Sequence, residues 1–193
     1  MSKVSVVNFQ SVDGVIQSVL SADEDREGGF EHGGWVLPYS DEVVAGFMQE
    51  ATVAADGLLL GRKTYEQFAA VWPSADQSEP AIAAMNRVPK YVASRTLDSG
   101  EWSNTVILGP DVAAQVAELK GRPGNDLVVF GSGELLRTLL AHRLVDELHL
   151  LTFPLVIGTG KKMFGELPEP MRLTHTASKL SPRGVSIASY TVQ

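Results

Sequence analysis

Hydrophobic positions along the chain switch between a strand period and a helix period, and the switches outline an alternating architecture. Val4–Phe9 reads as a strand, after which Ser11-Val12-Asp13-Gly14-Val15-Ile16 predicts a turn over the edge of a sheet. Residues 17–39 are rich in Gly, Ser and acid and show no period. Loops of that length in compact domains are either functional or disordered. Ser40 then predicts a helix cap, with Asp41 and Glu42 in the favoured first turn and an apolar stripe at Val44, Phe47, Met48 and Ala51. Leu58–Leu60 reads as a buried strand and residues 64–72 as the helix after it. Further on, a short helix is expected at Ala81–Asn86, a strand at Tyr91–Ala93, a strand at Thr105–Leu108 and a helix at Val112–Leu119 stopped by Gly121. Leu127–Phe130 is a buried strand feeding a helix whose inner face is Leu135, Leu136, Leu139 and Leu140. The last third changes style. Glu147–Phe153 alternates, Pro154–Ile157 is extended, and Arg172–Leu180 and Val185–Val192 flank Ser181-Pro182-Arg183-Gly184, a hairpin signal. Parallel βαβ units followed by an antiparallel tail make an α/β fold: a three-layer αβα arrangement around a mixed, mostly parallel sheet. With no repeat and no linker-like stretch, residues 1–193 are read as a single domain.

Within this framework, Gly57-Leu58-Leu59-Leu60-Gly61-Arg62-Lys63-Thr64-Tyr65-Glu66 carries the most chemistry. A strand ending at Gly61 delivers Arg62, Lys63 and Thr64 to the start of a helix. Free N–H groups and the positive end of the helix dipole then join two full charges, which together form an anion site. A βα loop with two solvated cations is the plainer reading of the same residues. Ser94-Arg95-Thr96 and Gly131-Ser132-Gly133-Glu134-Leu135 are two further strand exits with phosphate-compatible chemistry. The second lacks the third glycine of the dinucleotide pattern, with Leu136 in its place, and also fits a tight turn. In a parallel sheet such exits share the carboxyl edge, where ligands bind.

Composition narrows the partners. The 193 residues are 44% hydrophobic and 20% charged, with net charge −7 and a pI near 5.1. General attraction to nucleic acid or to an anionic membrane is therefore not expected, so a phosphate must be held by a local cluster, with Arg62, Lys63 and Arg95 its members. The chain has no cysteine, which excludes disulfides and thiolate metal sites and fits a reducing cytoplasm; no metal site is read. Met1–Gln10 has one lysine and a strand pattern, unlike a signal peptide, and no apolar run reaches membrane-spanning length.

Ser11–Ile16, Leu60–Glu66, Tyr91–Leu97, Val128–Leu135, Asp146-Glu147-Leu148-His149-Leu150 and Pro154–Phe164, in that order, resemble the dihydrofolate reductase-like family. The match is closer to its branch related to the reductase domain of bacterial riboflavin biosynthesis. The resemblance implies an NADPH-dependent reductase. It places the 2′-phosphate and pyrophosphate at Gly61, Arg62, Lys63 and Thr64, the 2′-phosphate also at Ser94, Arg95 and Thr96, and the pyrophosphate at Gly131, Ser132, Gly133, Glu134 and Leu135. Val7, Ile16 and Gln17 would line the nicotinamide. A cis peptide at Gly131–Ser132 and a homodimer formed through the antiparallel end of the sheet are also implied. Relatives of the riboflavin branch act on a phosphorylated pyrimidine; their companion zinc deaminase domain has no room or cysteines here.

On the substrate side, hydride transfer to a C=N or C=O bond needs a proton donor. Trp35-Val36-Leu37-Pro38 followed by Asp41 matches the segment that ends in the acid of dihydrofolate reductase, displaced by about one residue, which makes Asp41 the candidate. An N-terminal helix acid facing water is the alternative. Asp13, Trp35, Gly158 and Lys161 are candidate substrate contacts, Lys161 for an anionic group and Trp35 for stacking on a ring. Asp13 equally suits a self-bonded turn, and Trp35 core filling. His149, between Leu148 and Leu150, reads as packing. Two functions follow: a reductase of a small heteroaromatic or carbonyl substrate, or an NADP(H)-binding protein with little turnover. A purely structural dimer would leave Gly61–Thr64 unexplained.

Overall fold

A computed structural model describes residues 2–124, 126–165, 167 and 169–193; the N-terminal reading at Met1 lies outside them. Eight strands form one sheet: β1 (Val4–Ser11), β2 (Ala55–Gly61), β3 (Lys90–Ala93), β4 (Thr105–Leu108), β5 (Asp126–Phe130), β6 (Glu147–Phe153), β7 (Leu173–Leu180) and β8 (Ser186–Val192). Their spatial order is β4-β3-β2-β5-β1-β6-β8-β7. The first six are parallel neighbours, and β8 runs antiparallel to both β6 and β7. Helices α1 (Glu42–Ala54), α2 (Arg62–Val71), α3 (Pro80–Arg87), α4 (Val112–Gly121) and α5 (Gly133–Ala141) cover its faces. The expected αβα architecture is the observed one.

Alternation along the central strands explains why helices lie on both faces. Leu58 and Leu60 of β2, Val128 and Phe130 of β5 and Val7 of β1 point into one core with Val44, Tyr65 and Met85 from α1, α2 and α3. Leu59, Leu127, Val129, Val4 and Val6 point the other way, into a second core with Val116 and Leu119 of α4 and the four leucines of α5. A strand buried on both faces needs an unbroken apolar run, which is what Leu58-Leu59-Leu60 supplies.

The chain leaves β1 for α1 on one face of the sheet and leaves the adjacent β5 for α5 on the other. Neighbouring strands whose connections diverge in this way open a crevice at their carboxyl ends. Pairing of β1 with β5 stops at Val7↔Phe130, so Asn8 is the first β1 residue beyond the end of its neighbour.

Three local expectations are corrected. The cap of α1 is Asp41 rather than Ser40: its Oδ1 accepts from Val43 N–H at 3.1 Å and Val44 N–H at 3.0 Å, while Ser40 lies one residue outside. α2 begins at Arg62, two residues earlier than its apolar pattern indicated, because cations at the first turn add nothing to that pattern. No peptide bond among the described residues is cis; Gly131–Ser132 is trans, and both residues adopt left-handed φ of 58° instead. The loop over residues 17–39 carries two single-turn 3-10 helices, Glu27–Gly29 and Leu37–Tyr39.

Candidate functional site

A cleft of ≈ 1250 Å³ opens at the crevice between β1 and β5. Its floor and walls include Val7, Ile16, Gln17, Gly61, Arg62, Lys63, Thr64, Ser94, Arg95, Thr96, Lys161 and every residue of Gly131–Leu135. The three strand exits singled out in the sequence therefore share one cavity, although 66 residues of chain lie between Thr64 at the end of the first and Gly131 at the start of the last. Sheet topology brings them together.

Two helix starts face this cleft without a side-chain cap. Among the described residues, neither α2, with Gly61 at its N-cap, nor α5, with Ser132 there, has a side chain accepting from its first-turn N–H groups. By contrast α1 and α4 are capped by Asp41 and Asp111. Uncapped first turns leave N–H donors and the positive dipole end available to an anion. Ser132 ties the two turns together: its Oγ accepts from Gly61 N–H at 2.8 Å and donates to Thr64 Oγ1 at 3.0 Å. A serine in place of a second glycine thus gains a structural task that the sequence pattern did not reveal.

The cations divide by their present partners. Arg62 Nη1 pairs with Glu66 at 2.9 Å, one turn along its own helix. Lys63 Nζ lies 2.7 Å from Glu27 Oε2, and Lys161 Nζ lies 2.6 Å from both Glu27 Oε2 and Asp25 Oδ2. Arg95 is exposed and forms no ion pair among the described residues. Hydrogen bonds from Lys161 and Lys63 hold the Glu27 carboxyl down at about 2. For Asp25, burial is the largest influence and pushes upward, but the Lys161 hydrogen bond, the Glu27 N–H and the charges of Lys161 and Lys63 together outweigh it, so its carboxyl also lies below the usual range. The acid-rich loop is thereby strapped to two lysines of the cleft. Gln17, 3% exposed, orders the same strap: its Nε2 donates to the carbonyls of Asp25 and Glu27, and its Oε1 accepts from Lys161 N–H. Sequence reading missed Asp25 and Glu27; the acid in the loop was visible, but its partners, 36 and 134 residues away, were not.

Four candidates fall outside the cleft lining. Asp41 spends Oδ1 on the α1 cap and accepts from Arg183 N–H at Oδ2. Partial burial acts against it, yet the bonds from Val44, Ser181, Arg183 and Val43 keep its carboxyl below the ordinary range, so it stays an ionised acceptor. Asp13 accepts from Ser11 Oγ at 2.6 Å and from Ile157 and Gly158 N–H, which together lower it to about 2; it fastens the turn after β1 to the segment after β6. Trp35 is buried edge-on to Phe153 and donates from Nε1 to the Gln17 carbonyl. Gly158 adopts φ of 85°, a turn position that favours glycine. In this structure each of the four is engaged in contacts or a backbone turn outside the cleft lining.

The opposite end of the cleft is walled by Met48 and Thr52 of α1, Phe68 of α2, Trp72, and Ile82 and Met85 of α3, with Phe9 of β1. The two buried side-chain nitrogens without a hydrogen-bond partner among the described residues, Asn8 Nδ2 and Trp72 Nε1, both belong to residues lining this cavity. Asn8 left a sequence signal, an amide set between the apolar residues Val7 and Phe9 of β1; Trp72 left none.

The family model of the RibD C-terminal domain matches residues 2–187, and the chain belongs to that family. Among characterised folds it is similar to a protein assigned to riboflavin biosynthesis from Shewanella sp. PV-4, with a TM-score of 0.71 and 20% identity over 100% of this chain and 99% of the other. It is similar also to Enterococcus faecalis dihydrofolate reductase complexed with NADP(H), with a TM-score of 0.63 and 15% identity over 99% and 96% of the two chains. In sequence, the uncharacterized protein YyaP of Bacillus subtilis (strain 168) is 27% identical over 133 residues, covering 67% of this chain and 70% of the relative. The fold is thus the dihydrofolate reductase-like, reductase-type fold. No helix among the described residues is long and apolar enough to cross a membrane, and no group of three or more His, Cys, Asp or Glu there is placed to hold a metal ion.

Proposed function

We propose that the chain is an NADPH-dependent reductase that transfers a hydride to a small heteroaromatic or carbonyl compound. The observation carrying this reading is the meeting of two uncapped helix starts and the cations Arg62, Lys63 and Arg95 on one cleft at the sheet's switch point. That donor set suits a ligand with a pyrophosphate and a further phosphate. Gly61–Thr64 and Gly131–Leu135 would hold the former with backbone N–H groups, and Arg62, Lys63 and Arg95, with Ser94 and Thr96, the latter. Bound NADPH would supply the hydride. Val7, Ile16 and Gln17 at the exit from β1 would flank its ring, and the buried Asn8 amide offers a donor beside it. Family membership and the NADP(H)-complexed neighbour support the cofactor.

The accompanying proton comes from water in this reading, since Asp41 is committed to capping α1 and absent from the cleft. The same fact favours a second reading, an NADP(H)-binding protein with little turnover. β7 leaves all eight of its residues exposed at the sheet edge, which supports a homodimer through that end; a monomer mass in light scattering would remove it. The absence of cysteine is compatible with a cytoplasmic protein.

Calorimetric titration with NADPH and NADH tests the cofactor, with tighter binding of NADPH expected. Equal affinities would overturn the phosphate assignment. Oxidation of NADPH followed at 340 nm against pyrimidinones, pterins and cyclic carbonyl compounds separates the two readings: turnover with any of them supports the reductase, and tight binding without turnover supports the second.

A further inference from the structure

We propose that the substrate is an uncharged planar ring with a carbonyl or ring-nitrogen acceptor and no phosphate, read by the indole N–H of Trp72. This deepens, and rests on, the reductase reading above. Positive charge is distributed unevenly along the cleft. Arg62 and Lys63 open α2, Arg95 follows β3, Arg137 lies on α5 and Lys161 follows β6. The apolar end, formed by α1, α3 and the C-terminal part of α2, contributes no Lys, Arg or His to the lining. Its one carboxylate is Glu79, the residue before α3, which repels an anion. A phosphate or carboxylate placed against Met48, Phe68 and Met85 would lose water and meet no countercharge, an arrangement proteins avoid.

The hydrogen-bonding inventory points the same way. Trp72 Nε1 is buried and has no acceptor among the described residues, although its ring is only partly covered and lines the cavity. Buried donors in folded proteins are nearly always paired, and an indole can only donate. A ligand acceptor satisfies it. Phe68 meets Trp72 edge to face at 6.0 Å and 89°, an aromatic corner suited to a flat ring. The chain would therefore differ from those riboflavin-branch relatives whose pyrimidine carries a phosphate.

Uridine and uridine 5′-phosphate form a probe pair with the same acceptor-bearing ring and differ by the phosphate. Titrated into protein with saturating NADP+ occupying the phosphate-binding turns, uridine is expected to bind at least tenfold more tightly than its phosphate. Trp72→Phe should weaken uridine about fivefold to tenfold while NADP+ affinity holds. Gln49→Lys, an exposed α1 position on the same wall, should raise affinity for uridine 5′-phosphate and leave uridine unaffected. The proposal is overturned if the phosphate binds as well as or better than uridine, or if neither substitution moves the pair. Failure of NADP+ to bind, with the uridine preference intact, would remove the cofactor reading and leave the neutral character of the pocket standing.

Discussion

Arg95→Ala tests the phosphate site where its energetics are simplest. Arg62 and Lys63 already hold carboxylate partners, so a phosphate must exchange with Glu66 at 2.9 Å or with Glu27 at 2.7 Å before gaining either cation fully. Arg95 has no such partner among the described residues, so its charge is available at once. A hydrogen bond to a charged group contributes about 1.5–3 kcal/mol, and the exposure of Arg95 argues for the lower end. About 1.5 kcal/mol corresponds to roughly a tenfold rise in Kd. For Arg62→Ala the expected loss is smaller, because the exposed i,i+4 pair that the ligand displaces is worth about 0.3–0.5 kcal/mol. The assay is calorimetric titration of each variant with NADPH and with NADH at two salt concentrations. NADPH should weaken about tenfold for Arg95→Ala and less for Arg62→Ala, NADH should change little, and the NADPH effect should shrink at higher salt. A parallel loss for both coenzymes would show that Arg95 does not read the extra phosphate. No loss for either variant would refute the site altogether.

The remaining predictions probe the elements that shape the cleft. Glu27→Gln leaves Lys63 only its 3.9 Å contact with Asp25 and weakens the hold of Lys161, so hydrogen exchange across residues 17–29 should quicken; unchanged protection would mean the strap does not depend on that carboxylate. Because the Glu27 carboxyl is depressed to about 2 from 4.5, its contribution is present in full above pH 4.5 and fades as pH falls towards 2, so wild-type loop protection should decline over that window and the variant's should decline less, through the remaining Asp25–Lys161 pair alone. Lys90 is 0% exposed, with Nζ bonded to the carbonyls of Asn86 and Ser103 and 4.3 Å from the Trp102 ring centroid, and burial lowers it to about 8 from 10.5. The unfolded chain then binds more protons between pH 8 and 10.5, so stability should rise across that window by up to about 3 kcal/mol relative to Lys90→Met; parallel urea-denaturation curves for the two proteins would contradict this. Ser132→Ala strands the Gly61 N–H and breaks the link to Thr64, costing about 1–2 kcal/mol in thermal unfolding, and a wild-type Tm would show the link to be dispensable.

Much of this molecule is written locally. Leu58-Leu59-Leu60 is apolar at every position because both faces of a central strand are covered, and the α5 leucines recur at helical spacing because one stripe meets the sheet. The Gly61 and Gly131 exits were legible for the same reason: a strand-to-helix turn that leaves N–H groups free has a short, contiguous signature. Asp41 was visible too, but capping and proton donation both place an acid at a helix start, and only its bonds to Val43, Val44 and Arg183 separate them. Lys161 was visible as a cation in a glycine-rich loop, but its partners Asp25 and Glu27 were not, because they lie more than 130 residues away.

The sequence by itself determined the order and type of the elements, since periodicity and turn chemistry act over a few residues. It also singled out the three short strand exits with phosphate-compatible chemistry. Only the tertiary structure decided that these segments share one cavity, that Glu27 sits on its lysines, and that Asn8 and Trp72 bring to its walls buried nitrogens with no partner among the described residues. Those facts depend on the register β1 takes between β5 and β6, a long-range pairing set by the packing of both sheet faces together, which no local window contains.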